Sequence, residues 1–248
     1  MDWRDAGVII GVRPHGETAV ILEVFTRAHG RHLGVVHGGR SRKKAPMLQP
    51  GNQVDVVWRA RLESHLGTYS VEPLRSRAGD VLSDPLRLSA LTSVCALAAF
   101  VLPEREAVPA FQAQTESLCD ALADGAGWLR DYVFWEMALL AEAGLTLDLS
   151  ACAGGGGAND LAFVSPRTGR AVSRAAAGDW ADRLLPLPTM LLGGPATLDD
   201  VLLSLRVTGH FLHHHLAPTL GARPVPPARA RLIAALTRAA GGPPTQEG

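Results

Sequence analysis

A short run of cationic side chains is the part of this sequence best suited to binding chemistry. Two glycines, Gly38 and Gly39, precede a stretch in which four of five residues are basic: Arg40, Arg42, Lys43 and Lys44. Cations at this density neutralise phosphates and release counterions, and the glycines let a backbone approach its ligand closely. The run therefore predicts a polyanion-binding loop, and the alternative is a solvated charged turn.

The distribution of charge supports the polyanion interpretation. The chain is formally neutral, with 24 basic and 24 acidic residues, yet residues 1–80 carry 12 Arg and Lys against 8 Asp and Glu, a net +4. The remainder carries −4, so we expect nucleic acid to bind the front part. Further candidates are the arginines near predicted strand ends: Arg27, Arg31, Arg59 and Arg61. Arg59 and Arg61 are expected to share a strand face, because alternate strand residues do.

Aromatic residues are scarce in this basic region. Residues 1–80 contain only Trp3, Phe25, Trp58 and Tyr69, and Trp58 is a candidate core residue. Base-stacking platforms need several exposed rings. We therefore expect binding through backbone phosphates with little sequence preference.

Catalytic constellations are absent from the sequence. His210, His213, His214 and His215 invite a metal-dependent hydrolase hypothesis, but no third ligand lies nearby and no H-E-x-x-H occurs, which favours a polar helix end. Cys152 lacks the surroundings of a nucleophile, and neither a P-loop nor a Gly-x-Ser-x-Gly elbow is present. The pattern favours a binding protein over an enzyme. A protein-interaction adaptor that does not bind DNA remains the alternative.

The elements that must position these residues fall into two parts. Five β-branched, apolar stretches separated by turn residues predict strands at 7–13, 18–26, 31–37, 53–60 and 67–72, which suit a small closed barrel. From residue 83 a helical period predicts helices to 102, over 110–123 and 127–143, from 198, and over 228–240. An insert at about 150–176, with four glycines, predicts a loop and a hairpin. The fold class is α+β, with domains 1–80 and 81–248.

The bulk features indicate a cytoplasmic protein. Three scattered cysteines, Cys95, Cys119 and Cys152, argue against a disulfide framework. The charged start predicts no secretory signal, and no apolar run reaches the length of a membrane span.

Short motifs along nearly the whole chain resemble the RecO family of bacterial recombination mediators. They keep the family's order and spacing at residues 5–9, 15–17, 24–26, 29–31, 38–41, 48–51, 184–188, 208–212 and 228–232. The resemblance implies an OB-fold barrel followed by a helical domain. It also implies binding of single- and double-stranded DNA, strand annealing in DNA repair, and association with the nucleoid.

The resemblance also implies partners. RecR would be the main one, and together they would help load RecA onto DNA covered by single-strand-binding protein, so that contact with the RecA filament is indirect. The acidic tail of single-strand-binding protein would dock on the helical domain, where Arg229 and Arg231 are candidate contacts. No small-molecule turnover is implied.

One feature departs from the family pattern. Many members carry a zinc site of two C-x-x-C pairs in the inserted segment, but here only Cys152 remains. Its pair position is Gly155, and the second pair falls at Ser173 and Ala176. A structural zinc needs four ligands, so we expect a degenerate, metal-free zinc-ribbon-like hairpin and no cofactor.

Overall fold

Five strands at the start of the chain close into a barrel. The computed structural model describes residues 1–155 and 157–241. The strands are β1 (Asp2–His15), β2 (Ala19–Thr26), β3 (Gly30–Val36), β4 (Gln53–Arg59) and β5 (Thr68–Arg75). They follow the order β1-β2-β3-β5-β4 around the barrel, with β4 returning to β1. The predicted closed barrel and the α+β class are confirmed.

The long strand β1 pairs with two neighbouring strands, β4 and β2. Its first part pairs with β4, from Asp2 opposite Arg59 to Val8 opposite Gln53, and its second part pairs with β2. A register shift between Ile9 and Gly11 lets the strand bend from one neighbour to the other. The strand begins five residues before the predicted 7–13, because the polar residues at its start are held by pairing with β4 rather than by apolar burial.

The barrel core follows the two-residue period of the strands. In β4 every second residue is buried, which places Val54, Val56 and Trp58 inside. Ile9, Leu22 and residues of the other strands fill the same cluster. Trp58 is 1% exposed, so its prediction as a core residue is confirmed.

Three helices follow the barrel. They are α1 (Arg77–Asp80), α2 (Pro85–Val101) and α3 (Pro109–Asp124). Asp84 caps α2 by accepting hydrogen bonds from the backbone N–H groups of Leu86 and Arg87, as its Ser-Asp-Pro start predicts. The contacts group residues 1–128 and 226–232 into one unit, in which α2 packs against β1.

The second unit comprises residues 129–225 and those from 233 onward. Its elements are most of α4 (Trp128–Glu142), a sheet of β6 (Leu161–Val164), β7 (Ala171–Ser173) and β8 (Leu185–Pro186), the short α5 (Arg174–Ala177), α6 (Leu198–Phe211), α7 (Ala217–Thr219) and the end of α8 (Pro227–Ala239). The predicted hairpin is confirmed, and β8 is an addition that the sequence did not reveal. The four long predicted helices from residue 110 onward are confirmed within a few residues, and among the described residues no helix is long and apolar enough to cross a membrane.

Two glycines with the same backbone angle provide a matched test of barrel packing. Gly30 and Gly16 both have φ of +61°, but a Cβ on Gly30 would lie 2.0 Å from the carbonyl oxygen of Glu106, whereas one on Gly16 meets nothing within 4 Å. We expect Gly16→Ala to cost about 1 kcal/mol of unfolding free energy, the cost of a left-handed alanine. Gly30→Ala should cost about 2 kcal/mol more. Urea unfolding measures both, and equal losses would contradict the contact.

Candidate nucleic-acid interface

The segment between β3 and β4 is a chain of hydrogen-bonded turns. The backbone N–H groups of Lys44 and Ala45 both donate to the carbonyl of Ser41, at 3.1 and 2.9 Å. Gly39 packs so closely that a Cβ there would lie 2.5 Å from a methyl of Val20. Leu48, 2% exposed, anchors the segment in the barrel core. The basic run therefore sits on an ordered support, which is more structure than its two leading glycines suggest.

Two of the four cations in this run donate hydrogen bonds to backbone carbonyls. Arg40 donates from Nη1 to the carbonyl of Glu17 at 2.9 Å, and Lys44 donates from Nζ to the carbonyl of His37 at 2.8 Å. Arg42 and Lys43 are exposed and have no hydrogen bond or ion pair within the described part of the chain. A carbonyl does not cancel the charge of its donor, so all four remain positive. Arg42 and Lys43 are the ones free to reorient towards a phosphate.

A second group of predicted cations lies at the other end of the barrel. Arg27 occupies the turn between β2 and β3, and Arg59 is the last residue of β4. Arg61 follows in the loop to β5, and all three side chains are exposed. Because β4 ends at Arg59, the prediction that Arg59 and Arg61 share a strand face is wrong.

Topology places the two groups in connections at different ends of the strands. The basic run lies beside the start of β4, where Asn52 Nδ2 donates to the carbonyls of Pro46 and Met47. Arg59 is the last residue of that strand, and Arg27 and Arg61 lie in the β2–β3 and β4–β5 connections. The eight predicted residues therefore divide between opposite ends of the barrel. Sequence spacing could not reveal this division.

Arg31 differs from the other candidates because it is already ion-paired. It forms a close pair with Glu23 and a longer one, at 3.7 Å, with Glu104, and its side chain is 17% exposed. The arginines at the end of β5 and just after it are paired in the same way. Arg75 contacts Asp120 and Asp124, and the buried Arg77 lies 2.7 Å from Asp120. Glu104, Asp120 and Asp124 lie outside residues 1–80, so they offset part of the net +4 counted there.

An aromatic cluster closes the end of the barrel near Arg27 and Arg59. Trp3 stacks on His29 at 3.9 Å between ring centroids and on Trp58 at 5.7 Å, while His32 and Tyr69 meet it edge-on. Trp58, His32 and Tyr69 are buried, and only Trp3 and His29 are half-buried. The pairing of β1 with β4 creates the Trp3–Trp58 contact. Nothing in the sequence marked the two histidines.

Burial perturbs His32 strongly. Desolvation lowers the pKa of His32 to about 4, with smaller contributions from Arg105 and His29, although its contact with the Leu33 carbonyl opposes the shift. The Nδ1 atom lies 3.0 Å from that carbonyl, which suits a neutral ring donating from Nδ1. The histidine is therefore uncharged in the folded barrel at neutral pH.

The inserted segment brings Cys152 beside Ser173. The Cys152 thiol lies 3.4 Å from the Ser173 hydroxyl and accepts from the Ser173 backbone N–H at 3.3 Å. These two hydrogen bonds lower the pKa of Cys152. A Cβ on Gly154 would lie 3.1 Å from that of Ala176, whereas one on Gly155, the expected pair position, would meet nothing within 4 Å. One thiolate and one hydroxyl do not form a structural zinc site, so the residues present do not fit the metal.

The histidine cluster is arranged around a backbone carbonyl. His210 and His215 place Nε2 at 3.2 and 2.8 Å from the carbonyl oxygen of Pro166, while His213 and His214 are exposed. Desolvation lowers the pKa of His210, and neighbouring His214 and His215 add to the shift. Within residues 1–155 and 157–241, no three His, Cys, Asp or Glu side chains are grouped to hold a metal. The geometry gives no support to the hydrolase hypothesis.

The predicted contacts in α8 differ in accessibility. Arg231 is exposed, but Arg229 is 1% exposed. Arg229 therefore cannot meet an acidic peptide at the surface of the folded chain, whereas Arg231 can.

Comparisons with known proteins assign this architecture to a class. The model of the recombination protein O N terminal region matches residues 1–77, and that of the C terminal region matches residues 82–224. A DNA repair protein RecO from Dinoroseobacter shibae is 64% identical over 96% of this chain and 99% of its own length. Those from Cereibacter sphaeroides and Ruegeria sp. are 56% identical, again over 96% of this chain and 99–100% of their own.

The matches over both parts of the chain thus identify a DNA repair protein, and its architecture is α+β. More specifically, the chain belongs to the RecO family.

The shifted histidine makes barrel stability depend on pH. A folded-state pKa of about 4 lies below the ordinary 6.5, so the stabilisation is complete above pH 6.5 and is lost as pH falls towards 4. At 1.36 kcal/mol per pKa unit the loss is about 3 kcal/mol. We expect His32→Gln to flatten the pH dependence of urea unfolding between pH 6.5 and 4. An unchanged slope would contradict the assignment.

Zinc content can be measured both in the unaltered chain and in a variant that has four cysteines at these positions. We expect the purified chain to carry less than stoichiometric zinc, and the variant with Gly155→Cys, Ser173→Cys and Ala176→Cys to bind one zinc, because it completes four thiolates with Cys152. Elemental analysis measures both proteins after metal-free dialysis. Stoichiometric zinc in the unaltered chain would contradict the prediction, and Cys152→Ser in the rebuilt variant is the matched control.

Proposed function

We propose that this chain is a DNA-binding recombination mediator without catalytic turnover. In this proposal it binds single- and double-stranded DNA through backbone phosphates and anneals complementary strands. With RecR it helps load RecA onto DNA covered by single-strand-binding protein. It would work in the cytoplasm, associated with the nucleoid.

The observation that carries the proposal is the pair of unengaged cations on an ordered turn. Arg42 and Lys43 project from a segment anchored by Leu48, and Arg40 and Lys44 flank them. An ordered support reduces the entropy lost on binding, and adjacent cations follow a phosphate backbone. The strand order β1-β2-β3-β5-β4 with closure onto β1 supports naming the barrel an OB fold, a fold that commonly binds oligonucleotides.

The boundaries and partners belong to the same proposal. We place the barrel domain at 1–80 and the helical domain at 81–248, with the division supported by family matches that end at 77 and resume at 82. RecR and the acidic tail of single-strand-binding protein are the proposed protein partners, and Arg231 is an accessible contact for an acidic segment. We propose no metal or organic cofactor.

An adaptor that does not touch DNA is the second candidate. It is favoured by the ion pairs that engage Arg31, Arg75 and Arg77, which leave the barrel less basic than its composition suggests. The two candidates differ in direct DNA affinity, which one measurement decides.

Charge reversal of the basic run tests direct binding. We expect Arg42→Glu, Lys43→Glu and Lys44→Glu together to weaken binding about tenfold or more at low salt. The slope of log affinity against log salt should fall by about 2–3, since each lost phosphate contact removes nearly one unit. Fluorescence anisotropy with a labelled mixed-sequence oligonucleotide, single- and double-stranded, measures both quantities across a salt titration.

Two control variants make the result specific. Arg167→Glu, Arg206→Glu and Arg238→Glu change the net charge equally at exposed positions of the second unit. Arg27→Glu, Arg59→Glu and Arg61→Glu measure the other end of the barrel separately. Equal losses in the basic-run variant and the second-unit control, with both proteins folded, would sink the assignment. No binding by the unaltered chain at low salt would favour the adaptor.

A further inference from the structure

A groove beside the basic run has the character of a ligand site. It has a volume of about 610 Å³ and lies between the turn segment and β5. Lys43 and Lys44 form one rim, and Met47, Val71 and Pro73 form much of the apolar floor and wall. This volume is within the range of small-molecule sites, and it exceeds what one flat ring requires.

Local hydrogen bonds hold the groove open. Asn52, which is 2% exposed, donates from Nδ2 to the carbonyls of Pro46 and Met47. Its Oδ1 accepts from the backbone N–H of Ala78 at 2.9 Å. One buried amide therefore ties the turn segment to the chain that follows β5, and the groove does not depend on an occupant for its shape.

The charge around the groove is one-sided. Lys43 and Lys44 carry the positive rim, whereas Arg75 on the opposite wall is ion-paired with Asp120 and Asp124. The cations also continue beyond the groove along the chain, through Arg42, rather than encircling it. A ligand that fits has negative charge along one edge and apolar groups along the other.

We propose that this groove receives the unstacked bases of a single nucleic-acid strand while Lys43, with the charge of Lys44 beside it, holds its phosphates. The proposal rests on the proposed DNA binding and specifies its form. A single strand has phosphates on one edge and flat bases on the other, which matches the one-sided rim. A duplex keeps its bases stacked inside, so it can use the rim but not the floor.

The composition of the walls sets the expected specificity. Pro46 and Pro73 have no backbone N–H, and Met47 and Val71 offer no hydrogen-bonding group apart from their backbones. Such walls contact any base by its face. The uncharged polar side chains of the lining are Ser76 and Asn52, and the Asn52 amide is already hydrogen-bonded to Pro46, Met47 and Ala78. The groove therefore favours single strands over duplexes without preferring a sequence, as contacts through base faces do.

A pair of neighbouring substitutions isolates the groove from the general charge. Pro73→Glu places a carboxylate in the wall, and Leu74→Glu places one on the next residue of β5, which is 54% exposed and outside the groove. Adjacent strand residues face opposite sides, so the two variants share net charge and strand but not the site. Circular dichroism and urea unfolding confirm that each variant is folded.

Three probes of equal length are compared at the same salt: a thymidine oligonucleotide, an oligonucleotide of abasic sites, and a duplex. We expect the unaltered chain to bind the thymidine strand about five- to tenfold more tightly than the abasic strand, an advantage equivalent to about one base contact. Pro73→Glu should remove most of that advantage. Leu74→Glu should retain it, and both variants should bind the duplex equally.

The outcomes distinguish the groove proposal from the proposed DNA binding on which it rests. Equal affinity of the unaltered chain for thymidine and abasic strands, with duplex binding intact, would overturn the groove proposal alone. So would an equal loss of the thymidine advantage in the two variants. No binding of any probe would overturn the proposed DNA binding as well. The proposal would also be overturned if an acidic peptide bound in the groove and left the affinity for the thymidine strand unchanged.

Discussion

Closure of the barrel depends on a short parallel contact between β3 and β5. Val35 pairs with Thr68, and the backbone N–H of Val35 donates to the carbonyl of Gly67 at 3.0 Å. All other neighbours in the barrel are antiparallel. Closure removes the free edges of the sheet and forms a single interior, in which both Trp58 and Leu48 are buried. The turn segment that carries the cations is held by this interior, so its geometry follows from closure.

The basic residues of the barrel include some that form ion pairs within the fold and others that form none among the described residues. Arg31, Arg75 and Arg77 meet carboxylates of β2, α3 or the segment before α3, and these pairs hold helices and loops against the barrel. Arg42 and Lys43 have no such partner among the described residues. Composition counts both kinds equally, although only the second kind offers a charge that has not been offset locally. The net charge of residues 1–80 therefore overstates the positive surface.

Much of the fold was predictable because it depends on local patterns. The five strands follow from β-branched residues and glycine turns, and α2 follows from Asp84 and the proline after it. Where prediction failed, a distant partner decided the outcome. The polar start of β1 is a strand because β4 pairs with it, and Arg61 leaves the strand face because β4 ends at Arg59. The cluster of Trp3 with two histidines likewise depends on strand register rather than on spacing.

The sequence by itself determined the class of the protein, the basic run and the presence of a single cysteine, Cys152, in the inserted segment, because residue types and their order are sufficient for these. Only the tertiary structure decided which cations are free and that they lie at two ends of the barrel. It also decided that Lys43 and Lys44 border an apolar groove with residues of β5. The reason is physical: charge pairing and cavity shape depend on distances between residues far apart in the chain. Strand pairing and barrel closure set those distances.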